Sequence, residues 1–199
     1  MRIKVCGITR SVDAECATSL GAWAVGFVFV RTSPRYVSCE EARRIVERLP
    51  KTVEKVGVFE NASSLAVLGT CRAAGLTIAQ LHGDESPETV ADVASRMPVI
   101  KAIRLKEPKD LERLRDYSAA SAFIVDGPRS GSGLRSDWEL AREAKRWGTV
   151  LLAGGLTPEN AREACELVRP HGLDVSSGLE SAPGIKDAGK LRRFFEVLP

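Results

Sequence analysis

The chain has 199 residues, with 29 Lys and Arg against 26 Asp and Glu for a net charge of +3, and is 44% apolar; that is enough for one domain, 1–199, with a full core. The two signs of charge are mixed along the chain, which excludes a nucleic-acid surface, and no apolar stretch approaches the roughly 20 residues that cross a bilayer. Met1-Arg2-Ile3-Lys4 is too short an opening for a signal peptide, so a soluble cytoplasmic protein with neither nucleic-acid nor membrane partners is expected.

Short β-branched runs alternate with segments of helical period. The predicted strands are Arg2 to Val5, Ala24 to Val30, Glu54 to Phe59, Thr77 to Leu81, Val99 to Leu105, Ala122 to Asp126, Val150 to Ala153 and Leu173 to Val175. Each reads as apolar on both faces, the pattern of parallel strands covered on both sides. Helix starts follow in order: Ser11, the capping-box spacing Ser38 to Glu41, Asn61, Ser86-Pro87, Glu107-Pro108, the spacing Ser136 to Glu139, Thr157-Pro158, and a last helix from Asp187 to Val197. Eight strand-helix units with no linker predict an α/β fold, a compact single-domain (β/α)8 TIM barrel in preference to an open doubly wound sheet.

In a barrel the chemistry lies at the C-terminal ends of the strands. The polar residues predicted at that mouth are Cys6, Arg35, His82, Arg104, Lys106, Asp126 and Asp174. A thiol at a strand end is a candidate base or nucleophile, and equally a small buried core residue. Arg35, fixed by Pro34, presents a fork of donors suited to a carboxylate. His82 either orients a ligand or satisfies a loop, and Asp174 either binds sugar hydroxyls or anchors the turn after it. Three glycine-bearing turns lie near the same end: Ser130-Gly131-Ser132-Gly133, Gly154-Gly155 and Ser176-Ser177-Gly178. The turns after strands 7 and 8 predict a phosphate held by Gly154, Gly155, Ser176, Ser177 and Gly178. Five cysteines, odd in number and scattered, with only His82 and His171 to help them, fit neither a zinc pattern nor a disulfide framework, so no metal is expected. Cys16, Cys39, Cys71 and Cys165 fall on helical segments and read as inert, and His171 lies at the opposite barrel face.

The blocks Lys4-Val5-Cys6-Gly7-Ile8-Thr9, Ser33-Pro34-Arg35-Tyr36-Val37, Val56-Gly57-Val58-Phe59, Gln80-Leu81-His82-Gly83-Asp84-Glu85, Leu152-Ala153-Gly154-Gly155-Leu156-Thr157-Pro158-Glu159-Asn160, Gly172-Leu173-Asp174-Val175-Ser176-Ser177-Gly178-Leu179-Glu180 and Pro183-Gly184-Ile185-Lys186-Asp187 resemble, in order and spacing, the motifs of the phosphoribosylanthranilate isomerases of tryptophan biosynthesis. One block departs: Ser130 stands where the family's strand-6 loop has its first glycine, and Ser136 where it has phenylalanine. The resemblance implies a cofactor-free Amadori rearrangement of N-(5-phospho-β-D-ribosyl)anthranilate, with Asp126 as general acid and Cys6 as general base. It implies a small phosphorylated substrate as partner and a monomer or homodimer. For these roles the Asp126 pKa must be raised, and that of Cys6 lowered or its proton lost during binding, and no partner for Cys6 stands out in the sequence. The alternatives are a histidine-pathway sugar-phosphate isomerase, which needs a carboxylate where Cys6 stands, and a non-catalytic barrel that binds a phosphorylated ligand.

Overall fold

The computed structural model describes residues 1–127 and 137–198. Eight parallel strands close into a barrel in sequence order: β1 (Arg2–Val5), β2 (Ala24–Val28), β3 (Glu54–Phe59), β4 (Ile78–Leu81), β5 (Val99–Arg104), β6 (Ala122–Asp126), β7 (Val150–Leu152) and β8 (Gly172–Val175). The ring closes where Lys4 of β1 stands opposite Asp174 of β8. Around it run α1 (Ser11–Ser19), α2 (Cys39–Val46), α3 (Ser64–Ala74), α4 (Pro87–Ala94), a 3-10 helix over Pro108–Tyr117, α5 (Trp138–Ala144), α6 (Ala161–Val168) and α7 (Ala188–Glu196). Among the described residues no helix is long and apolar enough to cross a membrane.

Period-two alternation sorts every strand residue between two compartments. On β1, Ile3 and Val5 face the helices, in one cluster with Phe27, Leu81, Val125 and Leu173. The lumen holds a separate apolar layer that includes Ala24, Val56, Ile78, Ile100, Ile124 and Leu151. The expectation that each strand is apolar on both faces fails on this inner side, because Lys4, Gln80, Asp126 and Asp174 are buried too. They are tolerated because each has a charged or hydrogen-bonding neighbour.

Several helix starts differ from expectation. The Ser38 capping box and the Ser86 cap with Pro87 behind it form as predicted. Ser63 rather than Asn61 caps α3; Asn61 takes a left-handed backbone, φ 53°, and ties two loops, donating its N–H to Glu85 and accepting from the Asp84 N–H. Asp137 caps α5, and Ser136 lies outside the described residues. The helix expected at Thr157-Pro158 begins at Ala161, since the Asn160 side chain first folds the segment into a turn through the Thr157 N–H and the Gly155 carbonyl. The fifth helix is 3-10: Leu111, Leu114 and Tyr117 are its buried residues, and a spacing of three matches three residues per turn.

Unforeseen was an antiparallel hairpin, β9 (Glu180–Ala182) with β10 (Ile185–Lys186), turning at Pro183-Gly184 between β8 and α7. It is fastened to the first strand-helix unit: the Lys186 N–H donates to Asp13, Arg10 reaches the Lys186 carbonyl, and the Thr9 hydroxyl donates to the Gly184 carbonyl.

The β4–α4 loop is pinned by Lys101, whose ammonium donates to the carbonyls of Leu81 at 3.2 Å and Gly83 at 2.7 Å and to Glu85 Oε2 at 2.9 Å. Burial pushes the Glu85 carboxyl up, but the Lys101 charge and the Asn61 N–H outweigh it, so the group sits below its ordinary value of 4.5. We expect Lys101→Met to cost about 3–5 kcal/mol, as breaking one side of a buried pair does, measured by urea unfolding. The Glu85 contribution is complete above its unfolded-state pKa and lost as pH falls through the depressed folded value. Glu85→Gln therefore flattens the acid limb of the stability curve, and an unaltered limb would remove Glu85 from this account.

Candidate active site

Above the apolar lumen, the C-terminal strand ends enclose a cavity of about 350 Å³. Cys6, Arg35, His82, Asp126 and Asp174 all line it, as do Gly154, Gly155, Ser176 and Ser177. Arg104 and Lys106, expected at the same mouth, instead line an adjoining depression, which they share with His82, Lys101 and Asp110. Arg104 Nη2 lies 3.7 Å from Glu60 Oε1. Among the described residues no group of three or more His, Cys, Asp or Glu side chains is arranged to hold a metal.

Cys6 follows β1 and is buried, its N–H fixed to the Val175 carbonyl at 2.8 Å. Directly beneath it in the lumen, Lys4 Nζ donates to Asp174 Oδ1 at 2.7 Å. Burial pushes the Cys6 thiol up, and the nearby Lys4 ammonium, with a lesser pull from Lys186, moderates this without cancelling it. The thiol is therefore held above its ordinary range, so lowering, one of the two expected routes to a thiolate, is not found. Asp174 anchors a lysine as well as lining the cavity, and that use of it was not foreseen. Burial pushes the Cys71 thiol up to about 12, consistent with an inert helical cysteine. At the far end of the barrel, His171 Nδ1 accepts the Val150 N–H.

Asp126 ends β6 and lines the same cavity as Cys6. Its Oδ1 accepts the Gly127 N–H at 2.7 Å, and its Oδ2 lies 3.3 Å from His82 Nε2. Gln80, two residues back on β4, sets the histidine: its Nε2 stands 2.8 Å from His82 Nδ1. With the amide donating there, Nδ1 accepts and the ring proton sits on Nε2, facing Asp126. His82 thus contacts a carboxylate that lines the cavity.

Arg35 has an internal partner that sequence reasoning missed. Its Nε and Nη2 form a fork on Glu180 at 2.8 and 2.7 Å, and Glu180 also takes Lys186 Nζ at 2.9 Å. Lys186 continues to the Ser176 carbonyl at 3.1 Å. Burial pushes the Glu180 carboxyl up, but the two cations more than offset this and hold it below the usual carboxylate range. Burial lowers the Lys186 pKa further than Glu180 restores it. The Pro183-Gly184 turn flanked by Glu180 and Lys186 was the available signal for this hairpin.

Gly154 and Gly155 have φ of +87° and +62°, so both need the left-handed region. A Cβ on Gly154 would stand 2.6 Å from the Gly127 nitrogen. Gly178 does not line the cavity as Ser176 and Ser177 do; it packs against the neighbouring turn, where a Cβ would lie 1.9 Å from the Leu156 carbonyl oxygen. The strand-6 turn Ser130-Gly131-Ser132-Gly133 lies outside the described residues.

Residues 3–197 match the model of the N-(5'-phosphoribosyl)anthranilate (PRA) isomerase family. An N-(5'-phosphoribosyl)anthranilate isomerase of Geobacter sulfurreducens is 46% identical over 198 residues, covering 98% of this chain and 96% of its own. The crystal structure of the phosphoribosyl anthranilate isomerase of Thermus thermophilus superposes with a TM-score of 0.94 at 45% identity, over 99% of this chain and 98% of that one. A phosphoribosyl anthranilate isomerase solved in complex with reduced 1-(o-carboxyphenylamino)-1-deoxyribulose 5-phosphate superposes with a TM-score of 0.90 at 40% identity, over 98% and 97% of the two chains.

The contact between the two turns yields a direct test. Gly178→Ala should destabilise the protein by about 1–3 kcal/mol, the usual cost of overpacking, because the obstacle is backbone. An unchanged urea midpoint would contradict the packing of these turns.

Proposed function

The chain belongs to the N-(5'-phosphoribosyl)anthranilate isomerase family, and from that membership we propose how its barrel mouth carries out the isomerisation in tryptophan biosynthesis. The observation that carries the reading is that Cys6, following β1, and Asp126, ending β6, line one cavity together with Arg35 and the two glycine-bearing turns. Asp126, as the acid, gives its proton to the furanose ring oxygen. The bond from that oxygen to C1' breaks, and the anthranilate nitrogen lone pair forms the C1'=N bond of a Schiff base. Cys6, as thiolate, then takes the C2' proton. The C2'–H pair becomes the C1'=C2' bond, and the C=N pair returns to nitrogen to give an enolamine. Loss of the proton on the C2' hydroxyl and gain of one at C1' complete the aminoketone, 1-(2-carboxyphenylamino)-1-deoxy-D-ribulose 5-phosphate. Each step needs only acid and base.

The other groups follow by charge and position. The Nη1 edge of Arg35, beyond the fork on Glu180, takes the anthranilate carboxylate. The Gly154-Gly155 and Ser176-Ser177 turns hold the phosphate with backbone N–H groups. His82 keeps Asp126 aimed at the ring oxygen, and Asp174 is left to hold Lys4. We place the enzyme in the cytoplasm as a monomer or homodimer, in keeping with the absence of a membrane-spanning helix among the described residues.

Two experiments test the reading. Cys6→Ser and Asp126→Asn should each lower the single-turnover rate at least about 100-fold while product affinity stays within several-fold, since shape is kept and proton transfer is lost. A near-normal rate in Cys6→Ser would return that thiol to the core. Arg35→Met should raise KM about tenfold or more, because a charge-assisted bond contributes about 1.5–3 kcal/mol, with less effect on kcat. An unchanged KM would take Arg35 out of the site.

A further inference from the structure

We infer that Lys4 is a positioning residue for the base: its ammonium, held beneath the cavity by Asp174, fixes the Cys6 side chain and supplies the countercharge of the thiolate. The inference rests on Cys6 acting as the base. Lys4 is fully buried in the lumen and does not line the cavity, so it meets no substrate. Its Nζ is 2.7 Å from Asp174 Oδ1, and its charge acts on the neighbouring Cys6 thiol. Gly26 on β2 leaves the space that the two side chains share, for a Cβ there would stand 2.8 Å from Cys6 Sγ and 3.2 Å from Lys4 Nζ. Any side chain on Gly26 would push the thiol and the ammonium out of this arrangement.

An ion pair in this place does little for stability alone. Apolar residues like those just below, Ala24 and Val56, fill a lumen at least as well as a desolvated pair. What apolar residues lack is a positive charge beside a sulfur. The other charged groups that act on Cys6 are Asp174 on β8, Lys186 on β10 and Arg35 after β2. Lys186 and Arg35 are both engaged by Glu180, while Lys4 is the largest favourable electrostatic influence on the thiolate. Burial works to strip the Lys4 proton, but Asp174 and Cys6 prevail and hold its pKa above the ordinary value. Lys4 therefore stays protonated throughout. The Cys6 proton leaves to water in the open cavity, the thiolate forms against the ammonium, and capture of the C2' proton restores the thiol.

The test compares Lys4→Met with the doubly uncharged Lys4→Met/Asp174→Asn. Folding is checked first by circular dichroism, and the double variant carries the test if the single one does not fold. Alkylation of Cys6 by iodoacetamide across pH, resolved by peptide mass spectrometry, gives the titration midpoint of that thiol alone. The midpoint should rise by about one pH unit or more in Lys4→Met and by less in the double variant, which also loses the opposing Asp174. In both, the single-turnover rate at neutral pH should fall at least about tenfold, with KM changed by no more than several-fold. A wild-type midpoint in Lys4→Met would overturn the inference, and so would a shifted midpoint with an unchanged rate. Recovery of both midpoint and rate in the double variant would also overturn it, by showing that Lys4 merely neutralises Asp174. Failure of the base assignment reads differently, as normal turnover by Cys6→Ser with the midpoint shift still present.

Discussion

A charge taken out of water in this barrel is met by an opposite charge or by hydrogen bonds, and that constraint organises everything above the apolar part of the lumen. The cost of desolvating one ion is several kcal/mol even after relaxation. The deep groups are accordingly met as couples: Lys4 with Asp174, Lys101 with Glu85, and Glu180 shared between Arg35 and Lys186. Each couple also fixes a segment that bears on the site. The first holds the strand that carries Cys6, the second the loop after β4 that begins with His82, and the third the arginine at the rim and the turn after β8.

The third couple makes the site a connected object. Arg35, Glu180, Lys186 and Ser176 form a chain of contacts from one side of the cavity to the turn after β8. An anion drawing on Arg35 competes with Glu180 for the guanidinium, and any charge surrendered there is felt at Lys186. Under the proposed roles, the two ends of a substrate that carries both a carboxylate and a phosphate would be read by one electrostatic network. Such coupling is high-stakes, because a partly satisfied buried network costs more than none.

Much of this was legible in the chain, and for identifiable reasons. Strand positions followed from β-branched runs, and the caps at Ser38 and Ser86 from local hydrogen-bonding chemistry, both of which are short-range properties. Cys6, Asp126 and the glycine turns could be found because a parallel barrel places strand ends at one mouth. The Lys4–Asp174 and Arg35–Glu180 contacts could not, since they join residues separated by 170 and 145 positions. Lys4 also sits within a strand whose neighbours Ile3 and Val5 are apolar, so its inward direction needed the register. The late start of α6 escaped because Thr157-Pro158 is a sound cap signal locally, and the Asn160 side chain outcompetes it by holding the Gly155 carbonyl.

The closure of β1 on β8 and the fastening of the β9–β10 hairpin to Asp13 and Thr9 also bear on how the molecule comes into being. Cys6 follows β1, while Asp174 beneath it and Lys186 beside Glu180 come much later in the chain, on β8 and β10. Contacts of such sequence separation form late, after loop closure has been met. Until then the early strands present an uncovered inner face and an unpaired edge, the features that expose incomplete chains to misassembly. The site thus draws on both ends of the strand order, so a chain cut before β8 lacks Asp174 and one cut before β10 lacks Lys186.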